Sequence, residues 1–428
     1  MRKKISENLM RKEAIKKYIE DMGFAGMLLH YLCRLLTKAE MQIVGRTIKR
    51  FGKTKKDRIV FKNREMMDYT DNPRALFEHL VAQGYHEKYQ IIWMVSEKKR
   101  FKDLKQKNIK FVTAENKYGW SSPLAYYYGA TAAYFFYSHN SGDLNRYRCP
   151  GQKVVNLWHG CGYKDAEHGK KGNMKQPDFD FALVPGELFV KTKSRLWNCN
   201  PQKLLTMGYP RYDWMKHPSL PKEKIMEKLF EWHGDKVILW MPTFRKSNLG
   251  GCAENEIELP YDLPAIKSAH ELKQVDDLLR ENGLLLVIKK HPLEIGAKRE
   301  TQIFTNIRYI SEKHLTDHGI QLYELIGSCD ALISDYSSVA VDYLLMDRPL
   351  GYVLADYEIY KEKRGFVFED PLEYMPGEKI YDVSDLKRLL KHISDGTDPY
   401  QKEREKMLLQ MHDQTENYCQ RLVQYFKL

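Results

Sequence analysis

The sequence predicts an α/β fold built from two parallel-sheet domains in tandem. From Arg58 onward, short apolar runs alternate with helical patterns, which is typical of parallel strands covered by helices on both faces. The chain has 428 residues, more than one hydrophobic core usually supports, so two domains of about 150–200 residues are expected. A charged segment with three prolines, between Tyr209 and Lys236, separates two sets of strands and is the best candidate for a linker.

Residues 1–50 are predicted to form a basic helical leader. Its cations flank an apolar patch, Met22–Leu36, and this composition suits a helix lying on an anionic membrane surface. An amphipathic helix packed on its own domain is an equally good interpretation. No stretch has the pattern of a transmembrane segment, because His30 and Arg34 interrupt the first apolar run and residues 118–138 read as a buried helix followed by a strand.

The first domain is predicted over residues 51–212. Pro73 near the start of an amphipathic run predicts a helix over Pro73–Gln83. Short apolar, β-branched or aromatic runs predict the strands Arg58–Lys62, Gln90–Val95, Ile109–Thr113, Thr131–Tyr137, Lys153–Leu157, Phe179–Val184 and Lys203–Met207.

The second domain is predicted over residues 213–397, and residues 398–428 are predicted to form a helix that crosses back to the first domain. Helical patterns at Glu271–Glu281, Leu322–Ser328 and Ser337–Leu345 separate most of its strands. The predicted strands are Lys236–Trp240, Leu284–Ile288, Ile307–Ile310, Ala331–Ser334 and Leu350–Leu354.

Charge and composition narrow the class of protein. The apolar fraction of 43% is too high for a disordered chain, and 29% charged residues is too many for a polytopic membrane protein. A net charge of +12 indicates an anionic partner: a phosphorylated metabolite, an acidic membrane surface or nucleic acid. No nucleic-acid-binding signature accompanies the charge. Seven scattered cysteines indicate neither a disulfide framework nor a zinc site and suit a reducing cytoplasm.

Ligands of open parallel sheets bind beyond the carboxyl ends of the strands, so the residues just after each predicted strand are the candidate site. After Lys153–Leu157 comes His159, a plausible base, between an apolar strand and the loop residues Gly160, Gly162 and Lys164. The two glycines permit a tight turn with its backbone close to a ligand. A single loop histidine is, however, more often structural or merely exposed.

Two strand ends of the second domain carry cations suited to phosphate oxygens. After the first strand, the hydroxyl of Thr243 precedes two cations, Arg245 and Lys246. After the second strand, two cations, Lys289 and Lys290, precede a histidine, His291, and Pro292, which fixes the turn. A solvated basic loop is the competing interpretation at each of them.

The strongest single candidate follows Ala331–Ser334. Asp335 or Ser337 is positioned to cap the next helix, whose amino end would also accept a phosphate. Helix capping alone would account for these residues without a ligand, but capping and phosphate binding are compatible. A cleft between the two domains, with a diphosphate donor on the second and an acceptor on the first, accounts for all of these strand ends together.

Several motifs in a fixed order carry a family resemblance. They are NLWHGCGYK (156–164), MGYPRYD (207–213), ILWMPTFR (238–245), KKHP (289–292), the long DYSS-centred segment 329–360, RGF (364–366) and MPGE (375–378). This succession resembles the CDP-glycerol:poly(glycerophosphate) glycerophosphotransferase family, the teichoic-acid primases and polymerases of Gram-positive bacteria. The resemblance covers more than half of the chain.

The resemblance implies a GT-B-like fold, with two Rossmann-type domains facing a central cleft, and a peripheral location on the cytoplasmic face of the cell membrane. It implies transfer of a polyol phosphate, most simply glycerol phosphate, from a CDP-polyol to a lipid-linked or polymeric acceptor, with release of CMP. CDP-ribitol is an alternative donor, and a GT-B glycosyltransferase that uses a nucleotide sugar is an alternative activity.

The resemblance also implies residue roles. His159 becomes the general base on the acceptor hydroxyl, and His291 is expected at the donor pyrophosphate. Substrate-binding positions are expected at Gly160, Gly162, Lys164, Arg211, Asp213, Thr243, Arg245, Lys290, Pro292, Asp335, Ser337, Ser338, Asp342 and Arg364. Cys161 departs from the small or β-branched residue expected between the two glycines.

No cofactor is expected. The predicted strand ends carry no dense carboxylate cluster, and cations can neutralise the transferred phosphate without a protein-bound metal. A divalent cation carried by the CDP-polyol diphosphate remains compatible with the sequence.

Overall fold

The computed structural model describes residues 2–63, 69–104, 106–116, 118–139, 141, 144, 146–165, 178–242, 263–289 and 304–428, with side chains from residue 23 onward. Its contacts divide the chain into two units. The first comprises Met1–His159 with Pro177–Leu183, and the second comprises Gly160–Gln176 with Val184–Leu428. The predicted domain limits remain predictions.

The first unit opens with a long helix, α1 (Arg2–Phe51), which Gly23 interrupts with a left-handed φ of +72°. The other helices are α2 (Asp71–Ala82), α3 (Tyr85–Lys88) and α4 (Pro123–Thr131). The strands are β1 (Lys55–Lys62), β2 (Gln90–Val95), β3 (Ile109–Thr113), β4 (Ala132–Tyr137), β5 (Lys153–Asn156) and β6 (Phe181–Leu183). They are parallel, in the order β3-β2-β1-β4-β5-β6.

The second unit contains the helices α5 (Leu188–Leu196), α6 (Tyr212–Lys216), α7 (Lys222–Phe230), α8 (Ala269–Glu281), α9 (Glu312–Asp317), α10 (Leu322–Ser328), α11 (Ser338–Tyr343), α12 (Tyr357–Arg364), α13 (Val383–Asp395), α14 (Gln401–Met411) and α15 (Tyr418–Phe426). Its strands are β7 (Leu204–Leu205), β8 (Lys236–Trp240), β9 (Leu284–Lys289), β10 (Ile307–Ile310), β11 (Ala331–Ser334), β12 (Leu350–Val353) and β13 (Glu378–Ile380). Six of these form a parallel sheet in the order β10-β9-β8-β11-β12-β13.

Both sheets repeat one topology. In each, the first strand is central, the next two extend to one side, and the fourth to sixth extend to the other, which is the doubly wound Rossmann order. The order reverses between β1 and β4 in the first unit and between β8 and β11 in the second. Ligands of such sheets bind beyond the carboxyl ends of the strands at this switch point.

Burial explains why the strands read as unbroken apolar runs. In β2 the residues from Ile91 to Val95 are at most 2% exposed, and all six residues of β9 are buried. Aromatic rings fill the first core, where Phe61 stacks on Trp93 with ring centroids 5.4 Å apart. Aliphatic side chains, together with Trp240 and Phe304, fill the second core. A strand covered on both faces has no polar face to alternate with.

The predicted linker between Tyr209 and Lys236 is wrong. That segment contains α6 and α7, and Tyr209, Tyr212 and Met215 are fully buried within the second unit. Its charged residues lie on the exposed faces of short amphipathic helices, and this is why its composition resembled that of a linker. In the described part of the chain, no helix is both long enough and apolar enough to span a membrane.

Candidate active site

The DYSS segment begins at the switch point of the second sheet. Asp335 follows β11 directly and is 1% exposed, while Ser337 is the N-cap residue of α11. The Ser337 side chain makes no capping hydrogen bond. Simple capping therefore does not account for Ser337. Its hydroxyl lies at the sheet edge where a ligand of this fold would bind.

The glycine loop packs directly on this segment. A Cβ atom at Gly162 would lie 2.8 Å from both the backbone N and the Cα of Ser338, and one at Gly160 would lie 2.3 Å from the Ser338 Oγ. Gly160 also has a φ of +132°. Only glycine fits at either position without moving Ser338. The structure thus brings together two motifs that are about 180 residues apart in the sequence.

Asp342 lies beneath this contact with no exposed surface. Its carboxylate accepts a hydrogen bond from Arg211 Nη2 at 2.8 Å and further hydrogen bonds from the hydroxyls of Tyr212 and Tyr323. The Arg211 guanidinium also lies 4.2 Å from the centre of the Tyr323 ring. Burial, with Asp342 as the next cause, raises the pKa of Tyr212 well above its ordinary value, so the phenol stays protonated and donates.

The loop after Gly162 is fixed to the RGF motif by backbone pairing. Lys164 forms an antiparallel bridge with Phe366, the Asp165 N–H donates to the Gly365 carbonyl at 3.2 Å, and the Val367 N–H donates to the Tyr163 carbonyl at 2.9 Å. Arg364 is the last residue of α12 and is half-buried. The structure therefore places Lys164 and Arg364 on segments that are paired with each other.

His159 follows β5 in the first unit, and its ring stacks on that of His139. The ring centroids are 4.0 Å apart and the planes differ by 4°. The preceding residue, Trp158, is held with a φ of +55°, and its carbonyl accepts from Asn72 Nδ2 at 2.8 Å and from Ser138 Oγ at 2.7 Å. These bonds fix the carboxyl end of β5, which carries the imidazole and lies one strand away from the switch point of the first sheet.

Two further predicted positions serve internal structure. The two carboxylate oxygens of Asp213 accept the backbone N–H groups of Tyr418 at 3.0 Å and Cys419 at 2.8 Å, so Asp213 holds the amino end of α15. Lys289 is buried and its Nζ lies 3.1 Å from Glu312 Oε2. The substrate-binding role of Asp213 remains a prediction.

Cys161 is completely buried between the two glycines. Its Sγ accepts a hydrogen bond from the Tyr209 hydroxyl at 3.2 Å. Burial raises the pKa of the Cys161 thiol, so the thiolate form needed for oxidation is suppressed. The cysteine acts as a small packing residue.

Several predicted positions lie outside the described residues: Thr243, Arg245, Lys246, Lys290, His291 and Pro292. Within the residues that the structure does describe, no group of three or more His, Cys, Asp or Glu side chains could hold a metal ion. The expectation that no protein-bound metal is needed remains a prediction.

Sequence reasoning missed His139, Asn72 and Tyr323. The rule that singled out His159 would also have found His139, because it follows the predicted strand Thr131–Tyr137 after one serine. Nothing in the sequence marks Asn72 or Tyr323, since each contributes through a contact with a residue more than fifteen positions away.

The fold and the site together define a doubly wound α/β protein of the nucleotide-binding kind, with polar loops at the carboxyl ends of its strands. More specifically, the chain belongs to the CDP-Glycerol:Poly(glycerophosphate) glycerophosphotransferase family, whose sequence pattern matches residues 45–425. The resemblance carried by the motifs is thereby confirmed.

Characterised relatives include glycerol and ribitol enzymes. The chain is 25% identical over 366 residues to a teichoic acid glycerol-phosphate transferase of Staphylococcus aureus, covering 81% of this chain and 86% of that protein. It is 29% identical over 255 residues to a teichoic acid ribitol-phosphate primase of Bacillus spizizenii, covering 54% of this chain and 59% of that one.

A solved structure confirms the predicted GT-B-like fold. The wall teichoic acid polymerase TagF, in a histidine variant soaked with CDPG, superposes with a TM-score of 0.70 over 94% of this chain and 97% of that one. The two sequences are 20% identical over the superposition, so the likeness is one of fold.

Proposed function

We propose that this chain transfers glycerol phosphate from CDP-glycerol to a hydroxyl of a lipid-linked or polymeric acceptor and releases CMP. The family and the glycerol-phosphate relatives support the reaction class. The observation that carries the proposal is the seating of Gly160 and Gly162 on Ser338, because it joins the loop after the proposed base to the proposed phosphate-binding segment.

The chemistry requires a base, an in-line alcohol and stabilisation of the leaving group. The acceptor oxygen attacks the phosphorus that bears glycerol, a new P–O bond forms, and the P–O bond to CMP breaks as CMP leaves. His159 takes the hydroxyl proton on its imidazole. Positioning supplies much of the rate in such transfers, which is a reason to fix the loop around His159 by several hydrogen bonds.

The donor phosphates are assigned to the second unit. Ser337 and Ser338 offer hydroxyls at the switch point of its sheet, and Lys164 and Arg364 offer cations on the paired segments beside them. The same role is proposed for Thr243, Arg245 and Lys290, with His291 at the pyrophosphate and Pro292 fixing the turn of that binding segment. No protein-bound metal is required in this scheme, and a divalent cation would arrive with the diphosphate.

Donor specificity tests the proposal. The purified chain is incubated with an acceptor and with CDP-glycerol, CDP-ribitol or UDP-sugars in turn, and the released nucleotide is quantified. CMP from CDP-glycerol supports the proposal. UDP from a sugar donor, with no CMP from either CDP-polyol, would replace it with a glycosyltransferase.

CDP-ribitol is the second candidate donor, because a ribitol-phosphate primase is among the relatives and is 29% identical over its matched region. Both donors present the same CDP group to the motifs. The ratio of kcat/KM for the two CDP-polyols decides between them.

The proposed location is peripheral, at the cytoplasmic face of the membrane that carries the acceptor. α1 supports this location. It buries Met27, Cys33 and Met41 but leaves Leu28 and Leu35 52% and 63% exposed. Between Phe24 and Phe51 it carries five cations and one acid, the charge that an anionic bilayer attracts.

A further inference from the structure

A cavity of about 700 Å³ lies beside the edge strand β3 of the first unit. Four lysines are among the residues that line it, and two exposed apolar residues, Trp120 and Leu124, line it as well and are called its rim. In the described part of the chain, no residue that lines it belongs to the motifs of the candidate active site. The residues that matter here are Lys98, Lys99, Lys102, Lys110, Trp120 and Leu124.

The positive charge of the cavity comes from four lysines. Three of the lysines lie in a short 3-10 helix after β2 (Lys98–Leu104), the fourth lies on β3, and all four are exposed. Among the described residues, none of these ammonium groups forms an ion pair, and Glu115 nearby pairs with Arg34 at 3.2 Å. Cations gathered in one concavity repel each other, so a bound phosphate would stabilise them.

The rim of the cavity is apolar and tied to α1. Trp120 is 46% exposed and Leu124 is 49% exposed. The Trp120 indole N–H donates to Glu40 Oε2 at 2.7 Å, and the Thr37 hydroxyl accepts the Ser121 N–H at 3.0 Å. The rim therefore adjoins the same helix that exposes Leu28, Leu32 and Leu35 to solvent.

We propose that this lysine cavity binds the phosphate headgroup of an anionic membrane lipid, while Trp120 and Leu124 contact the interfacial region of the bilayer. The proposal rests on the membrane contact of α1 proposed above and adds a headgroup site to it. A soluble phosphate would need the cations but not an apolar rim. Tryptophan at the edge of such a site is typical of membrane interfaces, because its apolar ring and polar N–H suit a boundary.

Vesicle binding by the full chain tests the proposal. Flotation is measured with phosphatidylcholine vesicles and with vesicles containing added phosphatidylglycerol, for the native chain and for the variant Lys98→Gln/Lys99→Gln/Lys102→Gln/Lys110→Gln. A matched control removes four exposed lysines of the second unit (Lys228, Lys402, Lys406 and Lys427, each to Gln). Thermal unfolding verifies that both variants fold.

The cavity variant should lose at least about tenfold of the affinity for anionic vesicles, since each lysine near a charged surface contributes up to about fivefold. Its weak binding to neutral vesicles should persist, and the control should retain anionic binding. Equal losses in both variants would overturn the site, because net charge alone would explain them. An unchanged cavity variant would overturn it as well.

Further measurements distinguish a lipid phosphate from a soluble phosphate and test whether the transfer activity depends on the cavity. If calorimetry showed that these lysines bind inorganic phosphate while anionic-vesicle binding was equal in the native chain and the cavity variant, a soluble-anion site would replace the lipid site. Quenching of tryptophan emission by brominated phosphatidylglycerol should fall in Trp120→Phe, and unchanged quenching would contradict the rim contact.

CMP release with a soluble acceptor should be unaffected by the cavity substitutions, so failure of this inference and failure of the proposed function are distinguishable.

Discussion

At the scale of single residues, Asp342 has the most constrained environment of the site. It is fully buried, it pairs with Arg211 at 2.8 Å and it accepts hydrogen bonds from two tyrosines. An ion pair so placed is strongly destabilised when one partner is removed, because the other charge stays buried. Asp342 thus acts by holding Arg211 and α11 in place beneath Ser338.

Asp342→Asn should lower the free energy of unfolding by about 3–5 kcal/mol, because the Arg211 charge would remain without its counter-ion. Chemical denaturation measures the change, and Asp277→Asn, in an exposed ion pair of α8, serves as the control with little effect. A variant that kept its stability but lost turnover would instead place Asp342 in contact with substrate.

His159→Ala should reduce turnover by about 10²–10⁴-fold, since a general base contributes about that factor. Donor affinity, measured by calorimetry with CDP-glycerol, should stay the same, because the donor is assigned to the second unit. The exposed His270 offers a control, His270→Ala, that should keep full activity. Full transfer activity in His159→Ala would remove the base assignment even with the family correct.

At the scale of elements, α14 is joined to α11 by one buried histidine. His412 follows α14 and shares a hydrogen bond of 2.9 Å with the Val341 carbonyl, which only a protonated Nε2 can donate. Burial lowers the pKa of His412. At a pH above the ordinary histidine pKa, near 6.5 in the unfolded chain, the neutral imidazole therefore contributes fully to stability. This contribution is lost as the pH falls through the lowered pKa of the folded chain.

The drop in melting temperature from about pH 7.5 to about pH 5.5 should accordingly be smaller in His412→Gln than in the native chain. Glutamine keeps an N–H donor for Val341 but does not titrate. Differential scanning calorimetry at both pH values measures the difference, with His270→Gln as an exposed control. An unchanged pH dependence in His412→Gln would mean that other groups govern acid sensitivity.

The sequence predicts the limits of the strands better than it predicts the contacts between distant residues. Five strands, among them β2 and β11, begin and end at the predicted residues. Three of these five, β2, β8 and β11, are buried almost throughout, and a strand buried on both faces is a local apolar run. The short strand β13 was missed, since its charged residues Glu378 and Lys379 interrupt that pattern. In the structure Arg388 donates a hydrogen bond to Glu378. A short stretch of sequence around the strand does not indicate this partner.

The candidate site shows the same limit. Strand-end position alone singled out His159 and Ser337 as candidate residues, and the family resemblance added Ser338. The seating of Gly162 on Ser338, and the pairing of Arg211 with Asp342, depend on how distant segments pack. No spacing rule connects residues that meet only after the sheet has formed.

At the scale of the whole molecule, the proposed membrane contact is the exposed apolar stripe of α1. Leu28→Gln/Leu32→Gln/Leu35→Gln should lower binding to anionic vesicles by at least about tenfold, because these side chains, spaced on one helical face, would no longer enter the interface. A control triple of exposed apolar residues in the second unit, Ile359→Gln/Leu409→Gln/Tyr425→Gln, should bind as before. Equal binding by the α1 variant would place the membrane contact elsewhere.

In the proposed reaction the chain transfers the whole glycerol phosphate group. Mass analysis of the products formed from a lipid-linked acceptor and CDP-glycerol tests this transfer most directly. We expect the acceptor to gain one or more glycerol phosphate units, with one CMP released for each unit added. An acceptor recovered unmodified by either CDP-polyol, or extended by a sugar from a nucleotide-sugar donor, would contradict the proposed reaction.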